Sequence, residues 1–188
     1  MVRAGIDPAT VVATAAKLAD AEGLEAVTLT RLAEELGVRP PSLYAHIDGL
    51  DDLRRRLGAR GNIELAAALG QAVEGRSGRD ALRALAIAYR DYARAHAGTY
   101  AALQRSLDLA DDDEARAAGD AVVRVALAAL RGYPLEGDDA IHAVRLIRIT
   151  LHGFVSLEAA GGFAMNLSAD ETFERLLALL DLGLKGTE

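Results

Sequence analysis

Alanine fills 39 of the chain's 188 positions, and alanine is the residue that gives up least on entering a helix. Leucine is abundant beside it, aromatic residues make up only 4%, and β-branched residues are sparse. Summed propensity therefore predicts helix almost throughout and argues against a sheet-based enzyme. A chain of this length can bury roughly 68–70% of the surface its unfolded form exposes, enough for a core without cross-links. It has no cysteine, which excludes disulfides, zinc ribbons and thiol nucleophiles. The apolar stretch from Val11 to Ala16 runs straight into Lys17 and Asp20, too short for a secretory signal. No later apolar run is expected to reach the ~18 residues that span a bilayer, so a cytoplasmic protein without a membrane partner is expected. The net charge of −7 argues against indiscriminate binding to nucleic acid. Its distribution says more: residues 1 to 60 hold eight basic and nine acidic side chains, and the remainder 13 and 19.

Helix start and stop signals divide the chain. Asp7 is an N-cap followed by Pro8 at the first helical position, and that helix runs to Gly23. Thr28 caps a second, whose Leu29, Leu32, Ala33 and Leu36 recur at helical spacing before Gly37 stops it. The tandem Pro40 and Pro41 cannot continue that helix but suit the first turn of another, expected through Ser42, Leu43, Tyr44, Ala45 and His46. Two short helices joined by a Gly-containing turn make a helix-turn-helix, whose second helix is presented to a DNA major groove. After a charged turn, Asp48 to Asp52, a longer helix starts near Leu50, carries Arg54, Arg55, Arg56 and Arg60, and continues to Val73. Ser77 and Asp80 resemble a capping pair for a helix ending near Ala97, and a short helix follows from Thr99 to Leu107. Asp111, Asp112 and Asp113 suit the N-terminus of a helix running to about Leu130. Two final helices are expected, from about Asp138 to Ala160 and from Ala169 to Leu184, the latter capped by Ser168 with Glu171.

Candidate functional residues fall in two groups. A short proline-led helix exposes backbone N–H groups and small side chains at its tip, which makes Ser42 and Ala45 candidates to face the groove. Thr28 would aim the second helix's N-terminus at the DNA backbone, with Thr30 and Arg31 one turn in, and Arg39 and the Arg54 to Arg56 cluster would add positive charge. Plainer roles stand beside these: Thr28 as a cap only, Tyr44 packed on the first helix, Arg54 to Arg56 as a solvated face, His46 as a structural group. In the later part, Phe173, Leu177, Leu180 and Leu184 form one apolar ridge, expected with Phe154 of the preceding helix to make the dimer interface. The preceding helix, which holds Phe154, is apolar on nearly every side, as expected when a second subunit covers it. Its His142, Arg145, Ile149 and His152 share one face, which lines a cavity for a polar or anionic effector, bonds across a dimer, or is exposed to solvent; all three remain open. Tyr89, Tyr92, His96 and Tyr100 have the polar-tipped rings of a small-molecule pocket, with ordinary packing as the alternative. No metal site is expected, since His142 and His152 point about 80° apart on a helix and no third ligand is evident. The four histidines lie far apart, and no paired carboxylates or phosphate-binding glycine loop occur, so neither catalytic residues nor a cofactor are expected.

The segment Thr28 to Asp48, TLTRLAEELGVRPPSLYAHID, resembles the helix-turn-helix of the TetR family of bacterial transcriptional regulators. It joins Leu32, Ala33, Leu36, Gly37 and Val38 to Leu43, Tyr44 and His46 at the family's spacing. More weakly, Leu151, His152, Gly153, Phe154, Leu157 and Glu158 resemble a segment of one group of TetR-like regulatory domains. The resemblance implies an all-α homodimer of about nine helices, with a helix-turn-helix DNA-binding domain at 1–57 and a ligand-binding and dimerisation domain at 58–188. It implies a repressor that binds double-stranded, near-palindromic operator DNA and is released by a small-molecule effector. The DNA-facing set is then Thr28, Thr30, Arg31, Arg39, Pro41, Ser42, Tyr44, Ala45 and His46, with Tyr44 on a phosphate. The alternative is an all-helical interaction or small-molecule-binding protein without specific DNA binding. Two positions depart from the family pattern. Asp48 to Asp52 stand where many relatives have a lysine toward the DNA backbone, and Arg39 stands where a Ser or Thr cap is usual. Both imply modest or strongly salt-dependent operator affinity.

Overall fold

A computed structural model describes residues 6–105 and 113–186. The expected helix end at Leu107 and the cap positions Asp111 and Asp112 lie outside the described residues. Eight α-helices follow in order: α1 Pro8–Glu22, α2 Leu29–Leu36, α3 Leu50–Val73, α4 Gly78–Ala95, α5 Ala97–Arg105, α6 Asp113–Ala129, α7 Gly137–Ala159 and α8 Ala169–Leu184. Among the described residues, a six-residue 3₁₀ helix, Pro40–Ala45, lies between α2 and α3, and shorter 3₁₀ turns occupy Leu24–Ala26 and Leu130–Gly132. The fold is all-helical, as the alanine-rich composition predicts.

Three of the capping signals act as expected. Asp7 Oδ1 accepts from the Thr10 amide at 2.6 Å, Thr28 Oγ1 from Arg31 at 3.1 Å, and Ser168 Oγ from Glu171 at 3.3 Å. Each bond satisfies an amide that has no partner inside its own helix, typically contributing ~1 kcal/mol. Gly37 ends α2 in the left-handed region, φ 67° and ψ 32°, where its amide reaches the Ala33 and Glu34 carbonyls. One expectation needs correction. The segment after the prolines is not an α-helix through His46; it closes on i to i+3 bonds, Ser42 to Arg39 and His46 to Leu43, both 2.9 Å. Two prolines lacking N–H groups and a length of under two turns leave little α-type bonding to gain, so the tighter helix forms.

The described chain divides into two compact units, one of Met1–Glu64 with Ala95–Gly119 and the other of Leu65–Arg94 with Asp120–Glu188. The first has a core of Val11, Ala15, Leu18 and Ala19 from α1, Leu32 and Ala33 from α2, Leu53 and Leu57 from α3, and Leu43. Ala102 of α5 joins the same core, so α5, distant in sequence, belongs with the helix-turn-helix. Asp20 of α1 caps it. Its Oδ1 accepts from the Thr99 amide at 2.7 Å, and His96 Nδ1 lies 3.1 Å from Oδ2. Thr99 is the third residue of α5, the amide an N-cap side chain normally satisfies, here reached by a carboxylate 79 residues away in sequence. Gly98 makes the approach possible, because an added Cβ would lie 2.0 Å from the Ala19 carbonyl oxygen.

In the second unit, Leu82 and Leu85 of α4, Ile147, Leu151 and Phe154 of α7, and Phe173 and Leu177 of α8 are buried. Tyr133, after α6, donates to Asp181 of α8 at 2.8 Å. Contrary to the expectation for apolar runs, α7 is by length and composition apolar enough to cross a membrane. Arg145 and Arg148 stand near its middle with their side chains exposed, and its buried positions form one side of the helix. A soluble helix with a packed face and an uncovered apolar face passes the same test.

Gly98→Ala is expected to destabilise the protein by roughly 2 kcal/mol or more, since backbone rather than a flexible side chain must move. Urea denaturation checks this against Gly119→Ala, where an added Cβ meets nothing within 4 Å.

Candidate functional site

The reading surface is built on one anchor. Leu43 is fully buried, while its neighbours Ser42, Tyr44 and Ala45 are exposed, Tyr44 by 61%. A six-residue helix cannot hold itself in place, so burial of Leu43 fixes which side chains point outward. Tyr44 is therefore not packed on α1, and its hydroxyl is presented to solvent. Pro41 and Arg39 are exposed beside it. Thr28 and Thr30 are exposed at the start of α2; the Thr28 oxygen is used in capping, but its hydroxyl proton remains able to donate outward. His46 is half-buried at the end of the 3₁₀ helix. It adds a small pull to the Asp7 carboxyl, which the Thr10 amide chiefly holds below its ordinary value.

Most basic side chains near this surface already hold carboxylates. Arg31 bridges Glu22 at 2.7 Å and Glu35 at 3.1 Å. Arg54 lies 3.8 Å from Glu25, which Arg105 also pairs. Arg55 and Arg56 reach Asp52 at 2.8 and 2.9 Å. Asp52 itself is only 5% exposed and accepts the Asp48 amide at 3.0 Å. Burial pushes its carboxyl upward, but the Asp48 amide and the two arginines outweigh that and hold it below the usual value. Within this acidic turn Asp52 is thus turned inward and organises the start of α3. Among the described residues of the helix-turn-helix, Lys17 and Arg39 are the exposed cations with no carboxylate partner.

In the second unit the expected ridge turns inward: Phe154, Phe173, Leu177 and Leu184 are buried within the chain, and Leu180 is half-buried. Amphipathic spacing identifies the apolar side of a helix but not whether its own chain or another covers it. The uncovered apolar side chains on these helices are instead Ile141, Leu146, Ile149 and Leu157 of α7 and Leu179 and Leu182 of α8. Of the polar stripe, His142, Arg145 and Ile149 are exposed and His152 is half-buried, so the stripe lies on the outside of its unit. Burial, with Arg148 nearby, lowers the His152 pKa. Tyr89 and Tyr92 are buried in this unit, whereas Tyr100, also buried, and His96 belong to the first unit with α5. A groove of roughly 700 Å³ lies along α3 and α4, floored by Ala68, Ala72, Ala84 and Ala88 and rimmed by Gln71, Arg76, Asp80, Arg83 and Asp91.

Sequence reasoning missed Arg90, which is 6% exposed. Its guanidinium lies 5.1 Å from the Phe154 ring centre and 4.7 Å from that of Phe173. It also bonds Glu158 at 3.0 Å and Asp170 at 2.7 Å, and Arg94 bonds Glu158 as well at 2.9 Å. One α4 side chain therefore ties the end of α7 to the start of α8. An arginine at a helical core position beside a glutamate in another helix gives no signal in sequence spacing.

A proline-started helix held outward by a buried leucine, after a capped short helix and a glycine turn, defines a helix-turn-helix DNA-binding protein. The model of the TetR family of bacterial regulatory proteins matches residues 11–57, and that of a tetracyclin repressor-like C-terminal domain matches residues 82–180. An uncharacterised HTH-type transcriptional regulator of Mycobacterium tuberculosis, Rv0681, is 36% identical over 166 residues, 88% of this chain and 76% of the relative. The solved structure of BioQ with its double-stranded DNA operator superposes with a TM-score of 0.71 at 23% identity, covering 97% of this chain and all of that one. The Streptomyces coelicolor protein ActR in complex with (S)-DNPA gives a TM-score of 0.69 at 21% identity, covering 97% and 98%. The chain belongs to the TetR family of transcriptional regulators, a family of regulators rather than enzymes.

The Arg90 guanidinium, with Arg94 adding to it and burial opposing, holds Glu158 at about 2 against an ordinary 4.5. The group's stabilisation is fully present above its unfolded value and is lost as pH falls from about 4.5 towards 2. Glu158→Gln is expected to cost on the order of 3 kcal/mol at neutral pH and to flatten the acid limb of a stability-against-pH curve. Thermal unfolding followed by circular dichroism across that range checks both.

Proposed function

We propose that this chain is a dimeric, ligand-responsive repressor acting in the cytoplasm. Residues 1–57 read a near-palindromic operator, and residues 58–188 carry the effector site and the dimer contact. The observation that carries the reading is the contrast between fully buried Leu43 and exposed Tyr44 on a helix started by two prolines. Ser42 and Ala45 enter the major groove, Tyr44 and Thr28 bond phosphates, and Thr30, Pro41 and His46 line the approach. Arg39 supplies a cation with no carboxylate of its own. BioQ, which shares the fold, was solved on its operator, and that supports the same use of this element.

The contact between copies uses the uncovered side chains Leu146, Ile149 and Leu157 of α7 and Leu179 and Leu182 of α8. Phe154, Phe173, Leu177, Leu180 and Leu184 back them from within. Exposed apolar side chains of this size on two neighbouring helices mark an association surface. His142, Arg145 and His152 then lie at or beside it, rather than in a cavity. A twofold pair would set the recognition segments about one DNA turn apart, roughly 34–36 Å.

The groove along α3 and α4 is the effector site we favour. Alanines give a flat apolar floor, and two arginines and two aspartates around it suit a small ligand carrying polar groups of both signs. Tyr89 and Tyr92, buried in the same unit, act through packing, and Tyr100 and His96 through the docking of α5. Effector binding shifts α3, which contributes residues to both units, and so lowers operator affinity by a coupling free energy shared between the sites.

Tyr44→Ala is expected to weaken binding to the chain's own upstream DNA about tenfold in a mobility-shift titration while leaving the dimer intact by sedimentation. Ile149→Glu with Leu182→Glu should yield a helical monomer that no longer shifts that DNA. Absence of any shift by the unaltered protein at low salt would instead favour the interaction-module reading.

A further inference from the structure

Arg31 is the third residue of α2, on the exposed edge that also carries Thr28 and Thr30, yet its guanidinium is already engaged on both sides. Glu22, the last residue of α1, takes Nη2 at 2.7 Å, and Glu35, one turn further along α2, takes Nη1 at 3.1 Å. These bonds raise the arginine's proton affinity, Glu22 contributing most. All three side chains are substantially solvated, 35% for Arg31, 44% for Glu22 and 51% for Glu35. The pairs are therefore exchangeable contacts rather than buried structural ones. Neither carboxylate is needed to cap a helix: Thr28 caps α2, and the Gly23 amide bonds the Ala19 carbonyl at the end of α1.

A guanidinium has five donors in one plane; one on each terminal nitrogen bonds a carboxylate here, and the two carboxylates together offset its single positive charge. A phosphate that takes the edge formed by the two terminal nitrogens therefore competes with Glu22 and Glu35 for Arg31. We propose that Glu22 and Glu35 are affinity-determining residues of the DNA-binding surface: they hold Arg31 in competition with phosphate and so set how tightly the protein holds duplex DNA outside its operator. The inference rests on the DNA-binding reading above and adds to it a pair of acidic residues that act by withholding a cation. An exposed pair of this kind is worth roughly 1.4- to fivefold in an equilibrium constant, and one spaced i to i+4 on a helix, as Arg31 and Glu35 are, about twofold, so releasing both gives about three- to tenfold.

The test is fluorescence anisotropy of the full-length protein with a labelled mixed-sequence duplex at about 50 mM and about 200 mM salt. Glu22→Gln with Glu35→Gln should tighten binding about three- to tenfold at the lower salt. It should also steepen the dependence of log K on log salt by about one, the signature of one additional phosphate contact. Glu34→Gln makes the same charge change at an exposed α2 position without an Arg31 contact and should move affinity less than about twofold. Glu35→Gln alone leaves the α1 contact in place and should give part of the gain, which covers the case in which losing Glu22 loosens the junction of α1 with α2. In an Arg31→Gln background the paired glutamines should do no more than Glu34→Gln does. The proposal is overturned if the double variant behaves like Glu34→Gln, or if its gain persists without Arg31, since either result makes the effect one of net charge. These failures differ from failure of the DNA-binding reading: in the latter no variant binds duplex even at the lower salt, whereas in the former the unaltered protein binds and Tyr44→Ala still weakens it.

Discussion

The molecule's reading surface depends on the burial of one leucine. The 3₁₀ helix from Pro40 to Ala45 has two residues without amide hydrogens and too few turns to be stable alone. Its conformation is imposed by Leu43, which is sealed among residues of the first unit's core, including Val27, Leu32, Ile47 and Leu53. With a side chain on the inside at that position, the next residues must project outward, so Tyr44 and Ala45 are exposed by geometry rather than by any preference of their own. A leucine side chain fully removed from water contributes ~2–3 kcal/mol. That is ample to hold a six-residue segment whose own hydrogen bonds are few.

The support beneath that segment extends beyond the helix-turn-helix. Asp20 lies on α1, and it completes the first turn of α5 as a capping residue at that helix's own start would. The Gly98 backbone sits so close to Ala19 that no side chain fits between them. Because α5 adds Ala102 to the core that holds Leu43, the DNA-reading element rests on a helix from the middle of the chain. A boundary drawn at residue 57 by motif therefore differs from one drawn by packing: the first marks the extent of the helix-turn-helix motif, the second the part that keeps it in shape.

What could be read in advance follows from the range of each interaction. Caps, glycine stops and the proline start act within four residues, so Asp7, Thr28, Gly37 and Ser168 were all legible and all behave as expected. The kind of helix after Pro41 was not, because the choice between α and 3₁₀ bonding turns on how Leu43 is anchored by residues elsewhere. The ridge Phe173, Leu177 and Leu184 was legible as apolar but not as inward, since periodicity names a face without naming its cover. Long-range polar pairs left no trace at all. Arg90 with Glu158, and Asp20 with Thr99, join residues 68 and 79 positions apart, and nothing local marks either partner.

The same limit applies to counting charges on the helix-turn-helix. Nine acids against eight bases in the first sixty residues describes a sum, whereas binding to a polyanion depends on which cations are unengaged. Asp52 is spent on Arg55, Arg56 and the Asp48 amide, inside the protein rather than against DNA. Arg31, by sequence a natural phosphate ligand, is held by two carboxylates, while Arg39, which weakens the expected cap, is left open to solvent. A surface built this way gains little from long-range attraction and must draw its grip from the few groups that touch the duplex directly. On the DNA-binding reading proposed above, such a surface would hold arbitrary DNA weakly relative to a matched site, and for a regulator that must find one operator among many competing sequences that ratio is the quantity that matters.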